Sequence, residues 1–348
     1  MQNVGIFFFR PTLGGGTTTF TAHLFKAMEA AGANPIIFRV CEPGKGSNGK
    51  RRMFGKYEGV EYLKIDPETA RKMVKSMPTV MGSPANAKYM PFEPDIINNL
   101  MKIGMRTVIH DPNEFTIYNH LGKGAVKLPT RPICIRPTMK RFYADALWIP
   151  HPYMAVSGDA FADVKRSKLA GSTARIASVK RPRLILDANM KLAKTKRVQL
   201  RGAEYRMFTY NLMKKYPPEI FKQCGGTFQF PMTFEAPVRV AKEYALNFDM
   251  TLFPDDGGGT QYAQMEAMNA STVNVMHEDW WRFDKEYKGE MRPGKHVLTV
   301  SGTDDIIKLL KNPPPAEKLQ EIAINSIQLL RNHAPKVIGK MYLEELNR

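Results

Sequence analysis

Val4-Gly5-Ile6-Phe7-Phe8-Phe9 is followed by Leu13-Gly14-Gly15-Gly16, then by Thr17 to Ala31, Gly32, and Pro35 to Val40. The first run is unbroken and apolar, as in a strand buried on both faces. Gly14 to Gly16 make a turn, and Phe20, Leu24, Phe25 and Met28 recur at helical spacing up to a stop at Gly32. Pro35 to Val40 is a second strand. Strand, glycine turn, helix and strand within so short a stretch form a βαβ unit, which predicts a parallel sheet with a right-handed crossover.

The same alternation continues outward. Thr107-Val108-Ile109, Pro132-Ile133-Cys134-Ile135 and Ala146-Leu147-Trp148-Ile149 are short apolar runs separated by helical or loop stretches. They predict a doubly wound α/β domain over residues 1–152. His151-Pro152-Tyr153 marks a seam, and 153–171 reads as a polar linker. A second α/β domain is predicted over 172–332, with strands at Ala174–Val179, Arg197–Leu200, Met250–Phe253 and Val273–Met276 and helices at Leu184–Leu192 and Thr260–Asn269. After Pro313-Pro314-Pro315 the chain reads as helical to Asn332. Pro335 interrupts it, and a last helix occupies 333–348.

A chain of 348 residues suits two domains of ordinary size. No window reaches the roughly 18 apolar residues of a membrane span, and Val4 to Phe9 lacks the flanks of a signal peptide. Cys41, Cys134 and Cys224 are odd in number and scattered, which argues against a disulfide framework and a zinc site. A cytoplasmic, monomeric protein without a tightly bound metal is expected.

Charge narrows the partners. Lys and Arg number 51 against 33 Asp and Glu, a formal net of +18. Residues 160–222 hold 16 basic and 4 acidic side chains, a local net of +12. Such a field attracts polyanions, so nucleic acid is favoured, although solvated charge on a generally basic protein fits the same count. A second cluster, Lys45, Lys50, Arg51, Arg52 and Lys56, reads as an exposed basic loop. Within it Gly44-Lys45-Gly46-Ser47-Asn48-Gly49-Lys50-Arg51 imitates a phosphate loop, but Arg51 stands where a magnesium-binding hydroxyl is required. Lys50, Arg51 and Arg52 are therefore candidate DNA contacts.

Three segments carry the chemistry. Gly15 and Gly16 join the first strand to the first helix, where backbone N–H groups and the helix end favour an anion. Thr19 occupies the place of the third glycine of a dinucleotide fingerprint, so a nicotinamide site is disfavoured and a plain tight turn stays open. Asp255-Asp256-Gly257-Gly258-Gly259-Thr260 repeats the arrangement in the second domain and opens the helix that carries Glu266. Its exposed N–H groups suit a diphosphate, and the Glu266 carboxylate suits ribose hydroxyls. His110-Asp111 closes a buried strand, where open α/β sheets bind ligands, and is either a catalytic or a structural pair.

In these segments, and in Ala177-Ser178-Val179-Lys180-Arg181-Pro182-Arg183, the chain resembles the GT-B glycosyltransferases with a retaining donor site. Within them it is similar to the phage DNA glycosyltransferases of the T-even α-glucosyl type. The likeness implies two Rossmann-like domains facing across a cleft, with a C-terminal helix crossing back to the first. It implies a UDP-sugar held by Gly15, Gly16, Lys180, Arg183, Asp256, Gly257, Gly258, Gly259, Thr260 and Glu266. Lys180 and Arg183 would neutralise the departing diphosphate, and Asp111 and His110 would face the acceptor hydroxyl. One departure is clear: the family's first glutamate, eight residues before Glu266, is here Gly258. The acceptor implied is double-stranded DNA with hydroxymethylated bases, foremost 5-hydroxymethylcytosine, and the sugar glucose or a pentose such as arabinose. A glycosyltransferase acting on a glycan or small molecule, and a non-catalytic nucleic-acid-binding protein on the same scaffold, are the alternatives.

Overall fold

The computed structural model describes residues 1–8, 16–41, 49–52, 57–82, 94–110, 131–142, 144–202, 206–221, 232–252, 259–282 and 290–348. The chain divides into two compact units, Met1–Met154 with Asn332–Arg348, and Ala155–Arg331.

The N-terminal unit runs β1 (Asn3–Phe7), α1 (Gly16–Ala30), β2 (Asn34–Val40), β3 (Gly49–Arg52), β4 (Glu61–Ile65), α2 (Pro67–Ser76), β5 (Thr79–Met81), α3 (Pro94–Lys102), β6 (Val108–Ile109), β7 (Ile133–Cys134) and β8 (Leu147–Trp148). Its main sheet has the order β3-β4-β2-β1-β5, parallel except for the antiparallel β3. Backbone bonds between Met81 and Arg106 continue it toward the parallel β6-β7-β8 sheet. Without β3, this is the Rossmann strand order, with its switch point between β1 and β5. Local chemistry fixes the ends: Asp66 caps α2 by accepting from the Thr69 N–H at 2.9 Å, and Pro67 supplies the helical φ of the first position.

The C-terminal unit begins with β9 (Lys168–Ser172), α4 (Pro182–Met190), β10 (Gln199–Leu200), α5 (Arg206–Lys215) and α6 (Pro218–Phe221). It continues with α7 (Ala236–Lys242), β11 (Tyr244–Asp249), α8 (Tyr262–Asn269), β12 (Val273–His277), β13 (Leu298–Val300), α9 (Thr303–Lys311) and α10 (Ala316–Leu329). All five strands are parallel in the order β10-β9-β11-β12-β13, so the order reverses between β9 and β11. Leu246, Phe248, Val273 and Val275 form the sheet's share of a core closed by Ile185, Leu186, Ile306 and Leu310.

The last helix, α11 (Pro335–Leu346), returns to the N-terminal unit and packs on α1. Contact there is backbone-close, since a Cβ on Gly339 would lie 2.0 Å from the Ala27 carbonyl oxygen. Gln2 and Asn347 hydrogen-bond at 2.7 Å, so the two chain ends meet on this unit.

The structure corrects three readings. The stretch read as a linker contains most of β9, whereas Ala174–Val179, expected as a strand, is none and runs into a 3-10 turn at Ser178–Lys180. Lys168 and Gly171 disguise β9; Gly171 lies under the Tyr244 ring, where a Cβ would come within 2.5 Å. The strand expected at Met250–Phe253 is β11, which ends at Asp249. Asn247 and Asp249 are completely buried in it and hide its apolar pattern. Finally, Lys50, Arg51 and Arg52 lie on the edge strand β3 instead of a loop, because their backbone pairs with Glu61–Leu63 of β4.

Candidate functional site

A crevice opens at the carboxyl ends of parallel strands wherever the strand order reverses, because the flanking helices leave on opposite faces. In the C-terminal unit this places the ends of β9 and β11 at the ligand position. Leu252 N–H donates to the Val179 carbonyl at 3.0 Å and joins the two segments that follow these strands.

The residue that organises the crevice is Asp249. Its side chain is wholly buried, and a buried carboxylate is tolerable only when its lone pairs are filled. One oxygen accepts from the Thr251 N–H at 3.1 Å and from the Thr251 hydroxyl. The other accepts from Gln264 Nε2 at 3.1 Å and lies 3.6 Å from Lys180 Nζ. Lys180 also donates to Gln261 Oε1. Gln261 is the N-cap of α8 and forms a reciprocal capping box with Gln264, its N–H donating to Gln264 Oε1 at 2.9 Å. A second row supports the first: Asn247 Nδ2 donates to Asn274 Oδ1 at 3.0 Å, and Asn274 Nδ2 to the Gln264 carbonyl at 3.0 Å. The sheet thus holds α8 through polar contacts and anchors the Lys180 ammonium beside the helix start.

Of the glycine-turn residues, Gly259 and Thr260 are seen in place, while Asp256, Gly257 and Gly258 lie outside the described residues. The Gly259 carbonyl accepts from the indole of the buried Trp280 at 3.0 Å, and Thr260 Oγ1 lies 3.3 Å from Glu290 Oε2. Glu266 follows on α8 with its carboxylate mostly buried and, among the described residues, no hydrogen-bond or ionic partner. Burial alone pushes its pKa up to about 8. A carboxylate held in that state is one that a hydroxyl-bearing ligand would satisfy.

Arg183 is exposed on α4 and is not part of the Lys180–Asp249 cluster. Arg181 is closer to the chemistry and was not singled out by pattern. It adopts the left-handed conformation (φ 44°, ψ 45°), unusual for a side-chain-bearing residue, directly before Pro182 opens α4. Its Nη1 is buried without a hydrogen-bond partner among the described residues. Together with burial, which is the larger effect, its charge lowers the pKa of His277 at the end of β12. Asp249, Gln261 and Gln264 escaped the sequence reading too. Their one signal was Asn247, Asp249 and Asn274, polar residues inside apolar strand runs.

In the N-terminal unit Gly16 starts α1, with Gly15 outside the described residues. His110 ends β6 as expected; Asp111 also lies outside them. The His110 ring is buried and meets Phe20 edge-to-face at 4.6 Å, and its carbonyl accepts from Arg136. His151 lies 6.1 Å from the same Phe20, its carbonyl 2.7 Å from His333 Nδ1. His23 Nδ1 accepts the Met154 N–H at 2.8 Å and stacks on Tyr153.

Among the described residues no helix is long and apolar enough to cross a membrane, and no cluster of three His, Cys, Asp or Glu could hold a metal ion.

Two Rossmann-type sheets in one chain, with the last helix returned to the first unit, define the GT-B fold. Known structures share it over the full chain. An α-glucosyltransferase in complex with UDP and a 13-mer DNA containing an A:G mismatch matches with a TM-score of 0.72, 11% identity and 100% coverage of both chains. A complex of an α-glucosyltransferase with UDP and DNA containing an HMU base gives 0.71, 13% and 99% of both. HepE from Anabaena, bound to UDP and glucose, gives 0.65, 10% and 100% of both. No protein-family model and no curated protein sequence matches the chain.

Proposed function

We propose that this chain is a UDP-sugar-dependent, retaining glycosyltransferase that glycosylates hydroxymethylated bases in duplex DNA, foremost 5-hydroxymethylcytosine. The observation that carries the donor half is the C-terminal switch point. A cation clamped at the start of α8, and further along the same helix a carboxylate with no partner among the described residues, are what a nucleoside diphosphate requires at its two ends. Lys180, with Arg181 beside it and Arg183 on the exposed side of α4, would meet the diphosphate. The backbone of Gly257, Gly258, Gly259 and Thr260 would donate to its oxygens, with Asp256 at the sugar hydroxyls, and Glu266 would take the ribose.

In the reaction the acceptor oxygen bonds to the anomeric carbon as the bond from that carbon to the diphosphate breaks. Negative charge grows on the departing phosphate, and fixed cations stabilise it more than they stabilise the bound donor. Lys180 and Arg183 would supply that positive charge. The acceptor proton would pass to the departing phosphate or to Asp111, with His110 positioning the hydroxyl, and the backbone of Gly15 and Gly16 would donate to the donor. A base inside the stack presents its 5-substituent to a deep site poorly, so partial extrusion of the nucleotide fits the chemistry.

Support for DNA as acceptor comes from the +18 net charge and from the α-glucosyltransferases of the same fold, which are bound to UDP with DNA. The second reading, transfer to a glycan or small molecule, is favoured by HepE, whose complex holds UDP and glucose. Calorimetric titration separates donor from acceptor. UDP should bind with a Kd at least about ten-fold below that of ADP, since one lost hydrogen bond is worth about a factor of ten. Equal binding of the two nucleotides, or none, would remove the donor assignment.

A further inference from the structure

We infer that Asp249 is the positioning residue of the leaving-group cation: it fixes Lys180 where the donor diphosphate departs. This rests on the donor reading above and adds a residue to it. A lysine ammonium is a point charge on a flexible four-carbon stem, so its place must be imposed by partners. Here the imposition is built into the sheet. Asp249 is the last residue of β11, its carboxylate has no solvent exposure, and Thr251 and Gln264 orient it from both sides. Lys180 Nζ sits 3.6 Å from Asp249 Oδ2 with its side chain only 12% exposed. Gln261, the N-cap of α8, holds the ammonium from the second direction. Lys180, the α8 start and the end of β11 are therefore one unit that registers the cation against the glycine turn.

The construction is more elaborate than charge neutralisation alone demands. A buried ion pair of this kind contributes little net stability compared with apolar side chains of similar shape. Placement is what it adds. Asp249 itself touches no reacting atom; it acts through Lys180.

A double-mutant cycle tests this, read by UDP affinity and by the rate of UDP release from UDP-glucose. Asp249→Asn in the native background should weaken UDP binding by about ten-fold and slow release more strongly than it weakens binding. In the Lys180→Met background the same substitution should change neither by more than about two-fold, because the group it acts through is gone. It should also raise the melting temperature there, since Lys180→Met leaves a buried carboxylate without its cation. Losses that multiply in the two backgrounds would make Asp249 a merely structural residue and overturn the inference while leaving the donor site standing. A native protein that binds no UDP would overturn both. If Asp249→Asn does not fold, Gln261→Leu removes another partner of Lys180, at the helix start, and must show the same non-additivity.

Discussion

At the residue scale, Glu266 carries a carboxyl whose burial is costly to the fold. Its carboxyl is displaced from an ordinary value of 4.5 to about 8 by burial. Folding therefore favours the protonated form: stability is fully present below pH 4.5 and declines as pH rises toward 8. Glu266→Gln should accordingly raise the melting temperature of the empty protein at pH 8, by roughly 2–4 °C per kcal/mol relieved, and leave it unchanged at pH 4.5. The same substitution should weaken UDP binding about ten-fold, the loss of one charge-assisted hydrogen bond. Thermal melts at both pH values check the first, and no stabilisation at pH 8 would mean that the carboxylate already has a partner. The place of Glu266 on a helix was legible because it follows a glycine turn at helical distance. Asp249 was not, because a charged residue at a strand end reads as surface until the donors around it are seen.

At the scale of elements, the first βαβ unit was readable because Val4 to Phe8 is unbroken by polar residues and Pro35 to Val40 is broken by Arg39 alone. β9 and β11 were misplaced because each carries residues chosen for a neighbour: Gly171 for the Tyr244 ring, Asp249 for Lys180. β3 is the third case, an edge strand whose Lys50, Arg51 and Arg52 resemble a solvated loop. Lysine and arginine on an edge strand discourage pairing with another chain, which is the protective role left to the basic triplet if it makes no DNA contact. If these residues neutralise phosphates, log K for duplex DNA should fall with log[salt] at about −0.9 per phosphate. Replacing all three with glutamine should flatten that slope by up to about 3 units and weaken binding to every sequence alike. UDP affinity should not move. An unchanged salt slope in fluorescence-anisotropy titrations would leave β3 with the protective role alone.

At the scale of the whole molecule, the two units differ in what their buried polar groups do. The C-terminal unit gathers them at its switch point. The N-terminal unit buries His23, His110, His151 and His333 near the place where the chain leaves and re-enters it. Burial lowers the pKa of His23 from 6.5 to about 3, and burial followed by the Arg136 charge lowers that of His151 well below 6.5. Both are neutral in the fold and take up a proton on unfolding. Stability is therefore intact above pH 6.5 and is lost as pH falls below it, for His23 down toward 3 at about 1.4 kcal/mol per pH unit. Scanning calorimetry from pH 7.5 to 5 should show the N-terminal unit melting progressively earlier, with a shallower dependence in His23→Gln; a flat profile would contradict it. Delivery of the donor sugar to a hydroxymethylated base in duplex DNA would leave a glycosylated nucleoside as the product. The most direct measurement is nucleoside mass spectrometry of 5-hydroxymethylcytosine duplex incubated with the protein and a panel of UDP-sugars. The expected result is a new nucleoside heavier by one hexosyl or pentosyl residue, formed with one UDP-sugar and absent on unmodified cytosine. An unmodified duplex, alongside sugar transfer to a glycan or small molecule, would contradict it.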